Sequence, residues 1–403
     1  MSALRFCMVT TFYPPYHFGG DAVFVQRLAR ALARRGHRVT VAHDRDAWRA
    51  LRRGPEPLPQ RELDGIEVID LESGWGSLSP LLTHQTGHPF LNAGRLARLL
   101  DRGRFDVIHY HNVSLVGGPA VLEYGSALKL YTAHEHWLVC PTHVLWRNNR
   151  ELCTGRRCVR CALAYRRPPQ LWRYTHLLER AIVQVDRFIA PSEFARRKHA
   201  EFGFSPDMEV LPHFVPAPEP IAETGPPHPR PYFLYAGRLE RLKGLQRVIP
   251  KMDHVPGTDL LVAGDGEYAA ELRRLAAGSP QVKFLGRLPG LELDRLYRDA
   301  IAVLIPSIGF ETFGTVAIEA FRQSTPVIAR ALGALPEIVT ESGGGLCFGN
   351  DDEMTQAMTR LACDRALRER LGSAGFDAFQ VHWTEGRHLE RYFSLIERLR
   401  GVR

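Results

Sequence analysis

Short apolar runs alternate along the chain with segments of helical period. Before residue 212 the pattern predicts strands at residues 4–10, 39–42, 107–110, 128–133, 188–190 and 210–211. After residue 231 it predicts strands at residues 232–236, 260–263, 282–285, 303–305 and 327–329. The strongest helix is 21–35, which has an apolar face and ends at Gly36. This alternation predicts an α/β protein with parallel sheets that helices cover on both faces.

A proline-rich stretch divides the pattern. Residues 212–231 hold eight prolines in twenty positions, which excludes a continuous helix or a central strand and predicts a stiff linker. We expect one lobe over residues 1–213, a second over 214–381, and a last segment over 382–403 with a helix near 385–400. Ligands of parallel sheets bind beyond the carboxyl ends of the strands, so functional residues should follow strands directly.

Composition narrows the class of protein. Hydrophobic residues make up 45% of the 403 positions and charged residues 24%, as in ordinary globular proteins. No apolar run is long enough to span a membrane, and the N-terminus lacks a signal-peptide pattern, so we expect a cytoplasmic protein.

The net charge of +8 lies entirely in the first half of the chain. Residues 1–213 carry 29 basic and 20 acidic side chains, whereas the remainder carries 23 and 24. This excess suits a phosphorylated acceptor or peripheral contact with an anionic membrane, although solvated arginine-rich helix faces explain it equally well. Basic residues are not interleaved with aromatic ones, which argues against nucleic acid.

Two acids flank the start of a helix predicted after the strand at 303–305. Glu311 stands on the loop, eight residues before Glu319. The free backbone N–H groups of the helix N-terminus suit a diphosphate or a sugar hydroxyl, and they belong to Phe313, Gly314 and Thr315. Glu319, about one turn inside the helix, can accept two ribose hydroxyls. Two ordinary surface acids at a helix start are the alternative.

Arg238 and Lys243 follow the strand predicted at 232–236. Two cations at this edge of the sheet would neutralise a diphosphate leaving group without a metal ion. Two solvated surface bases would give the same local sequence.

Together these segments resemble the retaining glycosyltransferases of family 4, which have the GT-B fold of two Rossmann-like lobes that face a cleft. The resemblance covers most of the chain, through residues 10–20, 132–137, 190–196, 235–244 and 311–319. It implies an acceptor-binding first lobe, a second lobe for a nucleotide-diphospho-sugar, and a last helix that packs back on the first lobe.

The resemblance also implies roles for individual residues. Glu311 and His134 would lie beside the reacting sugar, Glu319 would hold the ribose, and the remaining donor-binding positions are Gly19, Gly20, Arg238, Lys243, Gly264, Leu288, Phe313, Gly314 and Thr315. Two departures from the family pattern stand out: its His-Asp pair is His134-Glu135 here, and its Glu-Gly-Phe-Gly is Glu-Thr-Phe-Gly here.

The implied reaction is transfer of a sugar to a glycan, lipid-linked or small-molecule hydroxyl, with retained configuration and no catalytic metal. Glu311 is expected to bind the sugar and not to attack its C1. A sugar-nucleotide epimerase, a phosphorylase of the same fold and a nucleotide-binding regulator without turnover remain alternatives.

Two further motifs have simpler explanations. Gly264-Asp-Gly266-Glu-Tyr-Ala269 matches a dinucleotide fingerprint, but the ribose-binding acid expected about 20 residues later is missing. Asp44-Arg-Asp46 resembles a metal-binding Asp-x-Asp, yet it lies far in sequence from the donor motifs. We expect a polar loop there.

Four of the seven cysteines, Cys140, Cys153, Cys158 and Cys161, cluster within 22 residues. The Cys-x2-Cys pair and two more thiols suit a tetrahedral structural zinc in a Cys-rich insertion over about 137–165. An iron–sulfur cluster uses the same ligands, and free or oxidised thiols are the remaining alternative. Cys7, Cys347 and Cys363 are expected to be buried as small apolar residues.

Overall fold

The computed structural model describes residues 3–52, 55–59, 61–218, 220 and 225–402. The chain folds into two compact units, the first formed by residues 1–211 with 390–403 and the second by residues 212–389. The linker predicted at 212–231 lies partly outside the described residues, at 219 and 221–224.

The first unit contains a seven-stranded parallel sheet and a separate two-stranded hairpin. The strands in chain order are β1 (Arg5–Val9), β2 (Arg38–Asp44), β3 (Ile66–Leu71), β4 (Val107–Tyr110), β5 (Leu128–Thr132), the hairpin strands β6 (Trp146–Arg147) and β7 (Glu151–Leu152), β8 (Arg187–Ala190) and β9 (Met208–Val210). The spatial order of the sheet is β3-β2-β1-β4-β5-β8-β9. Every residue of the central strands β4 and β5 is buried, including the polar His109 and Lys129.

Helices of the first unit connect these strands. They are α1 (Gly20–Arg34), α2 (Arg45–Leu51), α3 (Leu78–Thr86), α4 (Ala93–Arg102), α5 (Cys158–Ala164), α6 (Leu177–Ile182) and α7 (Glu193–Glu201), with 3-10 turns at Phe90–Asn92, Pro119–Glu123 and Leu171–Tyr174. The apolar face of α1 is buried, as its 3.6-residue period predicts. Ser192 caps α7 by accepting a hydrogen bond from the Ala195 N–H at 3.0 Å.

The second unit contains a six-stranded parallel sheet. Its strands are β10 (Tyr232–Ala236), β11 (Asp259–Ala263), β12 (Val282–Gly286), β13 (Val303–Ile305), β14 (Val327–Arg330) and β15 (Gly345–Phe348), in the spatial order β12-β11-β10-β13-β14-β15. The strand order reverses between β10 and β13, which is where ligands bind in open parallel sheets.

The helices of the second unit are short at its start and long at its end. They are α8 (Leu245–Val248), α9 (Ala269–Leu275), α10 (Gly290–Asp299), α11 (Thr315–Arg322), α12 (Leu335–Ser342), α13 (Asp351–Cys363) and α14 (Arg365–Ala378), with 3-10 turns at Arg241–Lys243 and Ile249–His254 and a π-helical turn at Phe379–Trp383. None of the described helices has the length and apolar character that crossing a membrane requires.

The last helix, α15 (Glu385–Val402), begins in the second unit, and its part from Glu390 belongs to the first. There Tyr392 stacks on Phe6 with 6.2 Å between ring centroids, and its hydroxyl lies 2.9 Å from His109 Nδ1. The end of the chain therefore completes the core beneath β1 and β4.

Four strands were not predicted from the sequence: β3, β15 and the two-residue hairpin strands β6 and β7. Both β3 and β15 lie at the edge of a sheet. Glu67 and Asp70 interrupt the apolar residues of β3, and β15 has only four residues and begins with Gly345. The other two edge strands, β9 and β12, were predicted.

Candidate functional site

In the second unit, the loops after β10 and β13 are in direct contact. The Ile308 N–H donates to the Leu242 carbonyl at 2.8 Å. Gly244 has φ +76°, and a Cβ at this position would come within 1.9 Å of the Pro306 oxygen. Only glycine allows this approach, which places Lys243 beside the start of the Glu311 loop.

Glu311 lies at the centre of this contact. Its Oε1 accepts hydrogen bonds from Lys243 Nζ at 2.7 Å and from Ser307 Oγ at 2.5 Å. Burial would raise the pKa of Glu311, but the Lys243 and Arg238 charges and the two hydrogen bonds outweigh it and lower the pKa below its ordinary value. The carboxylate is therefore ionised at neutral pH, and one of its oxygens is already engaged.

Arg238 stands near this pair at the carboxyl end of β10. Its guanidinium is half exposed and forms an ion pair with Glu240, with 2.6 Å between Nη1 and Oε1. Its carbonyl accepts a hydrogen bond from the Tyr235 hydroxyl at 2.8 Å. The structure thus brings both predicted cations and Glu311 to one edge of the sheet.

Helix α11 begins beside Glu311. Gly314 precedes the helix in the left-handed conformation, with φ +97°, and Phe313 is buried. A third loop, after β14, is also in contact with the acid, because the Ala334 N–H donates to the Glu311 carbonyl at 2.9 Å. The N-terminus of α11, with Thr315 as its first residue, thus belongs to the same cluster as the acid and the two cations.

Glu319 projects from the second turn of α11. Its Oε2 accepts a hydrogen bond from the hydroxyl of the fully buried Tyr297 at 3.2 Å. Neither Tyr297 nor Ser307 was identified from the sequence. The signal for Ser307 was its position directly after β13.

The remaining predicted donor residues of the second unit lie on neighbouring loops. A Cβ at Gly264 would come within 1.9 Å of the Gly237 oxygen, and one at Gly266 within 2.4 Å of the Leu239 oxygen. Backbone packing thus explains both glycines of the dinucleotide-like motif. Leu288 follows β12 and is half-buried against the core of the unit.

In the first unit, His134 follows β5 and contacts a second histidine. Its Nε2 lies 2.9 Å from Nδ1 of His111, which follows β4. Burial lowers the pKa of His134, and the Asp21 charge opposes this only in part, so the imidazole is neutral at pH 7.

Asp21 connects this pair to the glycine loop. Gly19 caps α1 and Gly20 begins it, and a Cβ at Gly20 would meet no atom within 4 Å. Asn112 Nδ2 donates to Asp21 Oδ2 at 3.3 Å. Asp21, Asn112 and His111 were not identified from the sequence. His111 and Asn112 directly follow β4, and Asp21 lies in the first turn of α1.

Glu135, which replaces the aspartate of the family pattern, lies within hydrogen-bond distance of His143, with 2.5 Å between Oε1 and Nδ1. This contact joins the start of the loop after β5 to residue His143.

The two acids of the Asp-x-Asp motif are engaged in the protein itself. Asp44 ends β2 and caps α2, accepting from the Ala47 N–H at 2.9 Å, and Asp46 accepts from the Ser73 N–H at 2.7 Å. Both side chains are buried. Helix capping and loop closure account for this motif, which sits at a strand–helix junction where we expected a polar loop.

All seven cysteines are free thiols. Cys140, Cys153, Cys158 and Cys161 line one cavity of about 20 Å³. Burial raises the pKa of Cys158, and the charges of the other three thiols raise it further. The expectation that Cys347 and Cys363 are buried was wrong, because β15 is an edge strand and Cys363 lies at the exposed end of α13; Cys7 is buried in β1.

Two family models match consecutive parts of the chain. Residues 18–217 match the model described as Glycosyltransferase Family 4, and residues 218–377 match the one described as Glycosyl transferases group 1. Glycogen synthase of Mycobacterium tuberculosis is 29% identical over 92% of this chain and 91% of its own. A second relative comes from Corynebacterium glutamicum and is a GDP-mannose-dependent monoacylated alpha-(1-6)-phosphatidylinositol monomannoside mannosyltransferase. It is 32% identical over 50% of this chain and 59% of its own length.

Solved structures share the fold. Sucrose-phosphate synthase from Thermosynechococcus elongatus has a TM-score of 0.77 at 18% identity, over 99% of this chain and 100% of its own. HepE from Anabaena in complex with UDP-glucose has a TM-score of 0.69 at 15% identity, and the match covers 98% of this chain and 100% of the HepE chain.

Proposed function

The chain belongs to the family 4 glycosyltransferases of the GT-B fold and is a glycosyltransferase; on this premise we propose that it is a retaining, metal-independent enzyme that uses a nucleotide-diphospho-sugar. The single observation that carries the proposal is the ionised Glu311 that Lys243 and Ser307 hold beside the N-terminus of α11. UDP-glucose bound to HepE and the GDP-mannose dependence of the corynebacterial relative support a nucleotide sugar as donor.

Charge compensation by the protein supports metal independence. The donor diphosphate would bind near Arg238 and Lys243 of the second unit, with Gly264 and Leu288 beside the base. The N-terminus of α11, formed by Phe313, Gly314 and Thr315, adds backbone N–H groups and its dipole. Together these groups would stabilise the negative charge that develops on the departing phosphate.

The engagement of Glu311 favours substitution on one face of the sugar. One carboxylate oxygen already accepts two hydrogen bonds, which makes it a poor nucleophile and a good hydrogen-bond acceptor for a sugar hydroxyl. In the proposed step the acceptor oxygen bonds to C1, the bond from C1 to the phosphate oxygen breaks, and the acceptor proton passes to the departing phosphate. Glu319 would accept the ribose hydroxyls.

The acceptor would be a glycan, a lipid-linked sugar or a small-molecule hydroxyl that the first unit binds. The net positive charge of residues 1–213 supports an anionic acceptor or a peripheral contact with an anionic membrane at the cytoplasmic face. Such a surface potential would concentrate an anionic acceptor near the enzyme.

A panel of nucleotide sugars tests the proposal. One donor should raise the melting temperature and be hydrolysed slowly to nucleoside diphosphate and free sugar when no acceptor is present, with the anomeric configuration retained. The Glu311→Gln variant should bind that donor and hydrolyse it much more slowly. Isomerisation of the bound sugar would indicate an epimerase, and inversion of the configuration would contradict the retaining mechanism.

A further inference from the structure

Four thiols of one 22-residue segment of the first unit line a common cavity. Cys140 precedes the hairpin of β6 and β7, Cys153 follows it, and Cys158 and Cys161 lie on α5. All four line the cavity of about 20 Å³, which has room for a single ion. We propose that this cluster binds one structural zinc ion, an assignment independent of the transferase chemistry in the second unit.

Basic side chains surround the thiols. Arg147, Arg156 and Arg157 line the same cavity, and the half-buried Arg173 lies close enough for the charges of Cys140 and Cys158 to act on its pKa. A zinc ion bound by four thiolates forms a group with a net charge of −2, and the positive charges of these arginines would compensate it. The Asn148 N–H also donates to Cys161 Sγ at 3.2 Å, a contact that a thiolate strengthens.

Two of the thiols form hydrogen bonds with nearby carbonyls. Cys153 Sγ donates to the Gly155 carbonyl at 3.4 Å and Cys161 Sγ to the Trp146 carbonyl at 3.9 Å. Within the described part of the chain, no three His, Cys, Asp or Glu side chains are yet arranged to hold a metal ion. Zinc binding therefore includes rotation of these side chains toward the cavity: four S–H bonds break, four Zn–S bonds form, and the protons pass to solvent.

The segment around the cavity has little regular structure to hold it. Its elements are two strands of two residues each and one helix of seven. Four non-glycine residues between Cys140 and Cys153 have positive φ: His143, Leu145, Asn148 and Asn149. Each such residue costs free energy that other interactions must offset, and a tetrahedral thiolate site supplies such interactions.

The site lies close in sequence to the histidine pair of the first unit. The Cys140 N–H donates to the His136 carbonyl at 2.7 Å, two residues after His134. Zinc at the cluster would therefore fix the loop that carries His134. Its loss should lower thermal stability and acceptor turnover, and spare donor binding in the second unit.

Metal analysis of the full-length chain, purified under reducing conditions, is the first test. We expect about one zinc per chain, and replacement with Co²⁺ should give the visible absorption of a tetrahedral thiolate site. Iron with its own visible absorbance, disulfides among these four cysteines, or reduced protein that takes up neither Zn²⁺ nor Co²⁺ would each overturn the proposal.

A pair of variants tests the assignment to these four residues. The Cys158→Ser/Cys161→Ser variant should lose the zinc, whereas Cys347→Ser/Cys363→Ser, which changes two exposed thiols elsewhere, should keep it. Retention of the donor-induced rise in melting temperature in both variants shows that the second unit is folded. Full zinc content in Cys158→Ser/Cys161→Ser would overturn the proposal, and the Co²⁺ spectrum of the unmodified chain decides it if that variant does not fold.

Discussion

Lys243 and Glu311 are 68 positions apart in sequence, and their Nζ and Oε1 atoms are 2.7 Å apart in the structure. The pair joins the loops that follow β10 and β13. Lys243 and Ser307 orient the carboxylate of Glu311, and the Lys243 charge helps to lower its pKa.

Glu311→Gln should lower kcat about 100-fold and leave the donor Kd nearly unchanged. The amide keeps the shape of the side chain and an acceptor for Ser307 Oγ, but it loses the charge that Lys243 neutralises. Because Lys243 is then available to the diphosphate, donor binding should not weaken. Initial rates and calorimetric titration of the donor check both values, and unchanged kcat would remove Glu311 from the site.

Glu319→Ala should instead raise the donor Kd by about 10- to 100-fold, because hydrogen bonds to a charged group are worth about 1.5–3 kcal/mol. Tyr297→Phe serves as the matched variant: it removes the hydroxyl that holds Glu319 at 3.2 Å and keeps the buried ring. Its donor Kd should rise much less. Equal donor affinity in Glu319→Ala and the unmodified enzyme would exclude the proposed ribose contact.

Gly244→Ala should destabilise the donor site despite the small size of the new side chain. The methyl group would meet the Pro306 oxygen at 1.9 Å, and the backbone has φ +76°. We expect the free energy of unfolding to fall by about 2 kcal/mol or more, with loss of donor binding. Gly278→Ala is the control, since a Cβ there meets no atom within 4 Å, and it should change neither quantity.

Asp44→Asn should alter how stability depends on pH. Burial raises the pKa of Asp44 to about 7, so the folded state binds a proton that the unfolded chain releases near pH 4. The contribution of Asp44 to the free energy of unfolding therefore falls as pH rises from about 4 to 7, by up to about 1.4 kcal/mol per pH unit.

The amide keeps the cap on the Ala47 N–H and cannot ionise, so the variant should gain stability relative to the unmodified protein as pH rises. Urea denaturation between pH 4 and 8 measures this difference. Asp364→Asn, at the exposed cap of α14, is the control for loss of a capping charge. A difference between Asp44→Asn and the unmodified protein that is constant over this range would contradict the buried, protonated state.

Addition of a chelator to the assay for minutes should change the initial rate of donor turnover by no more than about twofold relative to the assay without it. The reason is that protein cations and a helix N-terminus would compensate the diphosphate charge. A closed four-thiolate zinc site would not lose its ion on that timescale. A strict requirement for added Mg²⁺ or Mn²⁺ would contradict the proposed charge compensation.

The sequence predicted the central strands of both sheets and two of the four edge strands, β9 and β12. Strands such as β10 and β11 are wholly buried, so their apolar runs are complete. By contrast, β3 carries Glu67 and Asp70, and β15 exposes Cys347, because an edge strand faces solvent. Burial of Cys347 was wrongly expected for the same reason.

The candidate site was predictable only where a motif carried it. Arg238, Lys243, Glu311 and Glu319 stand out through spacing and position after strands. The contact between His111 and His134 arises from the packing of two loops that are 23 residues apart, which no local pattern encodes. Ser307 lies only four residues from Glu311, but the spacing alone does not show that its hydroxyl donates to the acid. The structure shows these contacts, and the roles assigned to the residues remain predictions.

The return of α15 to the first unit affects the order in which the chain can fold during synthesis. The contacts of Tyr392 with Phe6 and His109 cannot form until the last part of the chain has left the ribosome. By then residues 212–389 have already emerged. Domains commonly fold in the order of their synthesis. Here the first unit begins to emerge first but is completed last. A nascent chain stalled before residue 390 would therefore leave Phe6 and His109 without the ring of Tyr392.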